Sequence, residues 1–210
     1  MKLTFISDTH SLHKNLALES GDVLIIHCGD FTNKGSLEDT ESFAHFMSVQ
    51  DFKYKIVIAG NHDFCFEDDR KEAAEQYLAD KDIIYLNDTG TTIEGLKFWG
   101  SPVQPEFFNW AFNRERGEDI CKHWDLIPDE TDILLTHGPA FGILDRVFEG
   151  ENVGCSDLLK KIKRIKPKIH AFGHIHEAYG VCDKDGTTFI NACNVNRNYW
   201  LVNPPIVVEV

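Results

Sequence analysis

Five short apolar runs in this chain end in a polar corner, and that repetition restricts the fold more than any other feature of the sequence. Residues 3–7 run into Asp8-Thr9-His10, residues 23–28 into Gly29-Asp30, and residues 54–59 into Gly60-Asn61-His62-Asp63. Residues 132–136 run into His137-Gly138-Pro139, and residues 168–172 into Gly173-His174-Ile175-His176. Runs this short, rich in Ile, Val and Leu, suit strands inside a sheet that is covered on both faces. Open α/β sheets bind ligands beyond the carboxyl ends of their strands. The chain thus gathers its Asp, Asn and His residues where a site belongs.

Each corner alone has an ordinary explanation. Asp at a strand end caps turns, Gly-Asn and His-Asp pairs are common turn chemistry, and a lone His is usually structural. Their joint placement is what counts. Setting His62 and Asp63 aside, two aspartates, one asparagine and four histidines make the mixed oxygen and nitrogen supply that two adjacent transition-metal ions require. The tetrapeptide 60–63 adds a proton-bearing imidazole beside a carboxylate, just after a glycine read here as the bend in the backbone.

The intervening stretches read as covering elements. Ser36 to Asp39 has capping-box spacing and opens a helix through Phe43, Phe46 and Met47. Residues 68–79 suit an exposed helix, and residues 83–86 a short strand. Residues 91–93 and 96–99 form a hairpin about Glu94-Gly95. Residues 101–116 carry Phe107, Phe108, Trp110 and Phe112; these rings either line the rim of the site or pack beneath a surface loop. Residues 156–165 form an amphipathic helix, apolar at Leu158, Leu159, Ile162 and Ile165. Its Lys160, Lys161, Lys163 and Arg164 are expected in solvent. Residues 187–192 and 206–210 complete the strands.

A chain of 210 residues can bury a large core, and one domain over residues 1–210 is the expectation. The 42% apolar and 26% charged shares are those of a soluble globular protein. No apolar run is long enough for a bilayer, and the start of the chain lacks the shape of a signal peptide, so a cytoplasmic location is expected. The six cysteines form no Cys-x-x-Cys pair, which points to free thiols, with Cys28 in the core. A net charge of −13 argues against broad nucleic-acid binding, while a small anionic substrate stays compatible if bound metal inverts the local charge. A homo-oligomer stays open.

Taken in order, Asp8-x-His10, Gly29-Asp30, Gly60-Asn61-His62-Asp63, His137 after a strand, and Gly173-His174-x-His176 resemble the five blocks of the calcineurin-like metallophosphoesterases. Asp8-Thr9-His10, Gly29-Asp30-Phe31-Thr32, Thr136-His137-Gly138-Pro139, His176-Glu177-x-Tyr179-Gly180 and Asn203-Pro204-Pro205 resemble one branch more narrowly. That branch is the metallophosphoesterase-domain-containing proteins, close to the class III cyclic nucleotide phosphodiesterases, and the resemblance covers nearly the whole chain. It implies a four-layer αββα sandwich, two mixed β-sheets flanked by helices. Some animal members are altered in the last His-x-His block, whereas this chain keeps both His174 and His176.

The resemblance also implies a ligand set. One ion would be held by Asp8, His10, Asp30 and His176, the other by Asp30, Asn61, His137 and His174, with Asp30 bridging. The expected nucleophile is a hydroxide shared by the two ions. His62 would serve the leaving oxygen, with Asp63 fixing its tautomer. His13, three residues past His10, is read from its position as reaching either the substrate phosphate or a carboxylate behind the ligands, or else as a surface histidine of the loop. Glu177 and Tyr179 are expected to be structural before they are substrate contacts. Two divalent ions among Mn, Fe, Zn, Co or Ni are implied, Mn favoured, because four histidines suit neither Ca²⁺ nor an all-Mg²⁺ pair. The implied activity is hydrolysis of small phosphate esters, cyclic nucleotides foremost. The alternatives are a broad phosphomonoesterase, a nuclease, or a non-catalytic scaffold. The complete ligand set argues against the last, since so many buried polar groups would be costly in a pure interaction module.

Overall fold

A computed structural model describes residues 1–19 and 23–210. The apolar runs form two sheets, because strands buried on both faces must find parallel neighbours and helical covers. The first sheet contains β1 (Lys2–Ile6), β2 (Leu24–Cys28), β3 (Tyr54–Ile58) and β4 (Ile84–Tyr85), all parallel. Helix α1 (Leu37–Ser48) lies between β2 and β3 in the chain, and α2 (Lys71–Ala79) between β3 and β4. The second sheet begins with the hairpin β5 (Thr89–Ile93) and β6 (Leu96–Ser101), followed by a small pair, β7 (Gln104–Pro105) and β8 (Asn113–Arg114). After α3 (Glu118–Trp124) come β9 (Ile133–Thr136), α4 (Ser156–Ile165), β10 (Ile169–Phe172), β11 (Gly180–Lys184) and β12 (Thr187–Asn191).

The second sheet runs β11-β12-β10-β9-β6-β5, antiparallel only at its two edges. The last strand, β13 (Ile206–Glu209), joins the first sheet antiparallel to β1, giving the order β13-β1-β2-β3-β4. Both sheets are therefore mixed.

Register decides which side chains meet. Pairing Leu3 with Leu24, Phe5 with Ile26, and Ile26 with Ile56 puts these residues on one face, where they pack against Phe98, Ile133, Leu135, Ile169 and Ile190 of the second sheet. The opposite face of the first sheet, with Ile25 and Val57, is covered by Phe43 and Met47 of α1 and Ala74 and Leu78 of α2. On the far side of the second sheet, Leu134, Phe172 and Phe189 receive Ile120 and Trp124 of α3 and Leu158 and Ile162 of α4. The four layers are thus helix, sheet, sheet, helix, as the resemblance implies. Among the described residues no helix is long and apolar enough to cross a membrane.

Local chemistry explains most boundaries. Ser36 Oγ accepts from Asp39 N at 3.0 Å, so the spacing from 36 to 39 does cap α1. The β5–β6 turn uses left-handed Glu94 (φ 49°) and Gly95 (φ 84°), the geometry that matches strand twist. Other expectations need correction. Helix α2 starts at Lys71, because Asp68 turns back to bind the backbone and guanidinium of Arg70. Lys161 is buried, with Nζ 3.9 Å from Asp129 Oδ1, since it lies near the seam of α4 rather than on its outer face. Neither α3 nor β11 was foreseen, although Asp185-Gly186, both at positive φ, is a hairpin signal joining β11 to β12.

Candidate dinuclear metal centre

The corners bring their polar residues together by paying in backbone conformation. Asp8 (φ 52°), His10 (φ 41°), Asp30 (φ 59°) and His174 (φ 67°) all sit in the left-handed region, which disfavours L side chains by roughly 1 kcal/mol each. Backbone bonds across the corners hold them: Asp8 N to Gly29 O (2.9 Å), His10 N to Asp30 O (3.0 Å) and Gly173 N to His137 O (2.9 Å). The glycines are needed for close approach. A Cβ at Gly173 would overlap Asp8 Oδ2 and Ser7 Oγ, and one at Gly60 would overlap Asp30 Oδ1 and stand 2.7 Å from His137 Cε1. Gly60 is not at positive φ; it opens the turn that Asp63 N closes on Gly60 O (3.1 Å), and its missing Cβ also makes room. Gly29 combines positive φ with close approach, at φ 98° and with His137 Nδ1 2.6 Å from its would-be Cβ.

The seven residues of the implied ligand set converge. Asp30 Oδ2 is 3.3 Å from His137 Nε2 and 3.9 Å from His10 Nε2, which places this one oxygen between two groups of donors. On one side, His176 Nε2 lies 3.4 Å from Asp8 Oδ1 and 3.3 Å from His10 Nε2. On the other, Asn61 Oδ1 lies 2.9 Å from His137 Nε2 and 2.8 Å from His174 Nδ1. Tautomers are set from outside the cluster. His137 Nδ1 donates to Cys28 O (2.9 Å) and His176 Nδ1 to Asn196 O (3.2 Å), so each aims its Nε2 inward.

Burial and neighbouring charge set the protonation of these groups in the absence of metal. Burial, with Asp30 and Asp8 opposing, pushes His10 down to about 4; burial and the nearby His137 push His174 down to about 3. Both are neutral imidazoles at neutral pH, the form that coordinates. Burial opposes charge on His137 too, yet the Asp30 carboxylate beside it holds it up at about 9. Asp8 and Asp30 are held below the usual carboxylate range by their histidine neighbours despite complete burial.

Three sequence readings change. Asp63 does not touch His62. Its Oδ2 accepts from Asp30 N and Gly60 N (2.8 Å each), and its Oδ1 from Thr32 N (2.9 Å) and Thr32 Oγ1 (2.7 Å). Four donors saturate the carboxylate, so it ties the Asp30 and Gly60 corners together. Burial, and then the Asp30 charge, push it up to about 7. The tautomer of His62 is fixed instead by Asn33 O, 2.7 Å from its Nδ1, and its ring stacks on Trp110 at 4.1 Å between centroids. His13 is 1% exposed, packed against Phe43 and Phe46 with Nε2 3.3 Å from Ser42 Oγ, so it faces α1 and the substrate role expected for it is withdrawn.

The 101–116 stretch does both things expected of it. Phe107 and Trp110 line the cavity over the site, while Phe112 is buried with the α1 and α2 residues. Tyr179 is structural, its Oη donating to Pro204 O (3.0 Å), and Glu177 lines the cavity. Cys28 is core, as expected. A sixth corner was overlooked. After β12, Asn191 Nδ2 donates to Ile175 O (2.9 Å), Cys193 lies with Asp8 and His176, and Asn194 Oδ1 accepts from Ser7 N (3.1 Å). The run at 187–192 followed by Cys193-Asn194 repeats the signal of the other five.

The arrangement fits a pair of cations. Asp30 with His137 and His174, Asp30 with His10 and His62, and Asp8 with His176 and Cys193 form three groups whose donor atoms lie within 4.8 Å of one another. Two histidine nitrogens face each other at 3.3 Å, and His10 Nδ1 has no partner among the described residues. Converging lone pairs and buried carboxylates of this kind call for positive charge between them.

A family model described as calcineurin-like phosphoesterase matches residues 1–178. The human metallophosphoesterase domain-containing protein 1 is 40% identical over 227 residues, covering 98% of this chain and 69% of that protein. UPF0046 protein K07C11.7 of Caenorhabditis elegans is 41% identical, covering 100% of this chain and 75% of its own. Among solved structures, the phosphopantetheinyl hydrolase of Mycobacterium tuberculosis shares the fold at a TM-score of 0.68 and 15% identity, covering 95% of this chain and 91% of that one. With two mixed sheets, five metal-type corners and these matches, the chain belongs to the calcineurin-like phosphoesterase family and is a metal-dependent phosphoester hydrolase. Within that family, whose members use a dinuclear transition-metal centre, it falls in the branch of the metallophosphoesterase domain-containing proteins.

Proposed function

We propose that this chain, as one domain over residues 1–210, hydrolyses small phosphodiesters, with cyclic nucleotides as the favoured class and manganese as the favoured metal. Asp8, His10, Asp30 and His176 would hold one ion, and Asp30, Asn61, His137 and His174 would hold the other. When bound, the ions supply Lewis acidity and a water acidified enough to attack phosphorus at neutral pH.

The observation that carries the reading is the position of His62. Its Nδ1–H is committed to Asn33 O, and its Nε2 lies 3.9 Å from Asp30 Oδ2 on the cavity wall, in a group with His10 and Asp30 whose donor atoms lie within 4.8 Å of one another; His62 is assigned to the substrate side of that group. In this role a second proton, carried on Nε2, passes to the leaving oxygen and leaves Nε2 bare while Nδ1–H stays on Asn33 O, and Trp110 behind the ring keeps it from swinging away. Asp63 serves by clamping the Asp30 and Gly60 corners, so that Asp30 Oδ2 stays central.

The cavity has room for an organic group beside the phosphoryl group. The cavity of about 490 Å³ exceeds what a bare phosphoryl group needs, and it extends past the site to Arg116, Val153 and Arg197. The acidic balance of −13 counts against a nuclease. The deciding experiment is relative turnover of bis(4-nitrophenyl) phosphate and 4-nitrophenyl phosphate with Mn²⁺. Preference for the diester is expected; preference for the monoester replaces this reading with a phosphatase. Elemental analysis finding no bound metal after reconstitution with Mn²⁺, Fe²⁺, Co²⁺ or Zn²⁺ would revive the scaffold.

A further inference from the structure

Two aromatic rings stand at opposite ends of the ligand set. Phe107 is 52% exposed, with its ring centroid 6.4 Å from that of His174 at an interplanar angle of 86°. Tyr199 is 45% exposed, with centroid distances of 4.7 Å to His10 and 5.2 Å to His176. His174 is assigned to one ion, and His10 and His176 to the other, so the rings flank the dinuclear centre. Both line the same cavity as Asp30, Asn61 and His62.

Neither ring is loose. Asn113 accepts from Phe107 N (3.3 Å) and donates to Phe107 O (3.2 Å) and Phe108 O (2.8 Å). Asn196 accepts at Oδ1 from Asn198 N (2.9 Å) and Trp200 N (3.1 Å), and at its carbonyl from Tyr199 N (2.8 Å). Phe108 and Tyr199 are held at φ 48° and 59°, an uncommon conformation for bulky residues. Fastening a half-exposed ring at each end of a catalytic cavity gains the fold little, since the ring faces water there. It does present two π-faces to whatever the bound phosphoryl group carries.

We infer that Phe107 and Tyr199 form an aromatic clamp selecting phosphoesters whose organic group is planar, such as a nucleobase or an aryl ring. This deepens the phosphoesterase reading and rests on it. Stacking of a base or aryl ring on such side chains strengthens binding by about tenfold per ring, and a saturated group of similar size lacks the flat face that stacks. Phe107 and Tyr199 were singled out neither as ligands nor as acid, and they set specificity without touching the reacting bond.

The test uses Mn²⁺-loaded enzyme and competitive inhibition of bis(4-nitrophenyl) phosphate turnover by methyl-, cyclohexyl- and phenylphosphonate. These share the phosphoryl group and differ in the organic one. The native enzyme is expected to bind phenylphosphonate about tenfold more tightly than either of the others. In the double variant Phe107→Ala/Tyr199→Ala the ratio of inhibition constants falls to near unity, whereas Tyr199→Phe keeps it. Equal inhibition by phenyl- and cyclohexylphosphonate in the native enzyme, or a preference that survives in the double variant, overturns the clamp alone. Turnover that none of the three inhibits also overturns the clamp alone, whereas no turnover of bis(4-nitrophenyl) phosphate by the Mn²⁺-loaded enzyme overturns the phosphoesterase reading and the clamp with it.

Discussion

Asp63 offers the sharpest test of how the site is held. Replacing it with Ala leaves three backbone N–H groups, those of Gly60, Asp30 and Thr32, without their acceptor in a place that is 0% exposed, while the Thr32 hydroxyl can turn to His62 O, 3.3 Å away. A buried donor left unmade costs about 1–3 kcal/mol, so the loss should be roughly 3 kcal/mol or more. Asp63→Asn is milder. Its amide can turn its NH₂ toward Thr32, whose hydroxyl reorients, and only Thr32 N–H is stranded, for about 2 kcal/mol. Urea unfolding of metal-free protein measures both values. Because the clamp positions Asp30, both variants should also bind metal more weakly. The pH dependence of kcat/KM should keep its limbs, since Asp63 makes no bond to His62. If Asp63→Asn leaves stability within 0.5 kcal/mol of native and instead moves a limb of that profile, Asp63 acts through His62 and the clamp argument fails.

Other outcomes follow from the same geometry. Gly60→Ala should lose metal and about 1–3 kcal/mol of stability through overpacking against Asp30 and His137, while Gly95→Ala, with nothing within 4 Å of its would-be Cβ, should cost only its backbone strain; equal behaviour in the two by urea unfolding and metal analysis would refute the close-approach argument. His62→Ala should retain its metals by elemental analysis and lose about 10²- to 10⁴-fold in kcat, and full turnover would sink the proton-donor assignment. His27 and His170 are fully buried, and burial pushes each from 6.5 down to about 3. The unfolded chain therefore takes up protons that the folded one refuses, so their contribution is intact above about pH 6.5 and drains as pH falls toward 3, by about 1.4 kcal/mol per pH unit per histidine at most. Urea midpoints between pH 7 and 5 that do not fall would contradict this. Chelation should abolish turnover and lower the thermal midpoint, with metal at 100 times its Kd restoring about 2.7 kcal/mol.

The strand ends were legible because the chemistry there is local. An apolar run of five or six residues has to be buried, its polar successor has to emerge at the sheet edge, and five such edges in order are enough to place Asp8, His10, Asp30, Asn61, His137, His174 and His176 at one rim. What lay beyond reach was direction. In Asn61-His62-Asp63 the three side chains are one residue apart, yet Asn61 faces His137 and His174, His62 faces Asn33 and Trp110, and Asp63 turns back beneath Asp30. Sequence adjacency suggested that Asp63 served His62, but the nearest orphan donors belonged to another corner, and buried N–H groups claim a carboxylate before a partly exposed imidazole can. His13 was misplaced for the same reason: three residues past a ligand, it meets α1, a neighbour the local sequence does not name. The sequence by itself determined which residues reach the rim and hence the metal chemistry. Only the tertiary structure decided which atoms face one another and why Gly60 has no side chain. It also decided which two of the many aromatic rings flank the site, because those depend on contacts between segments far apart in the chain.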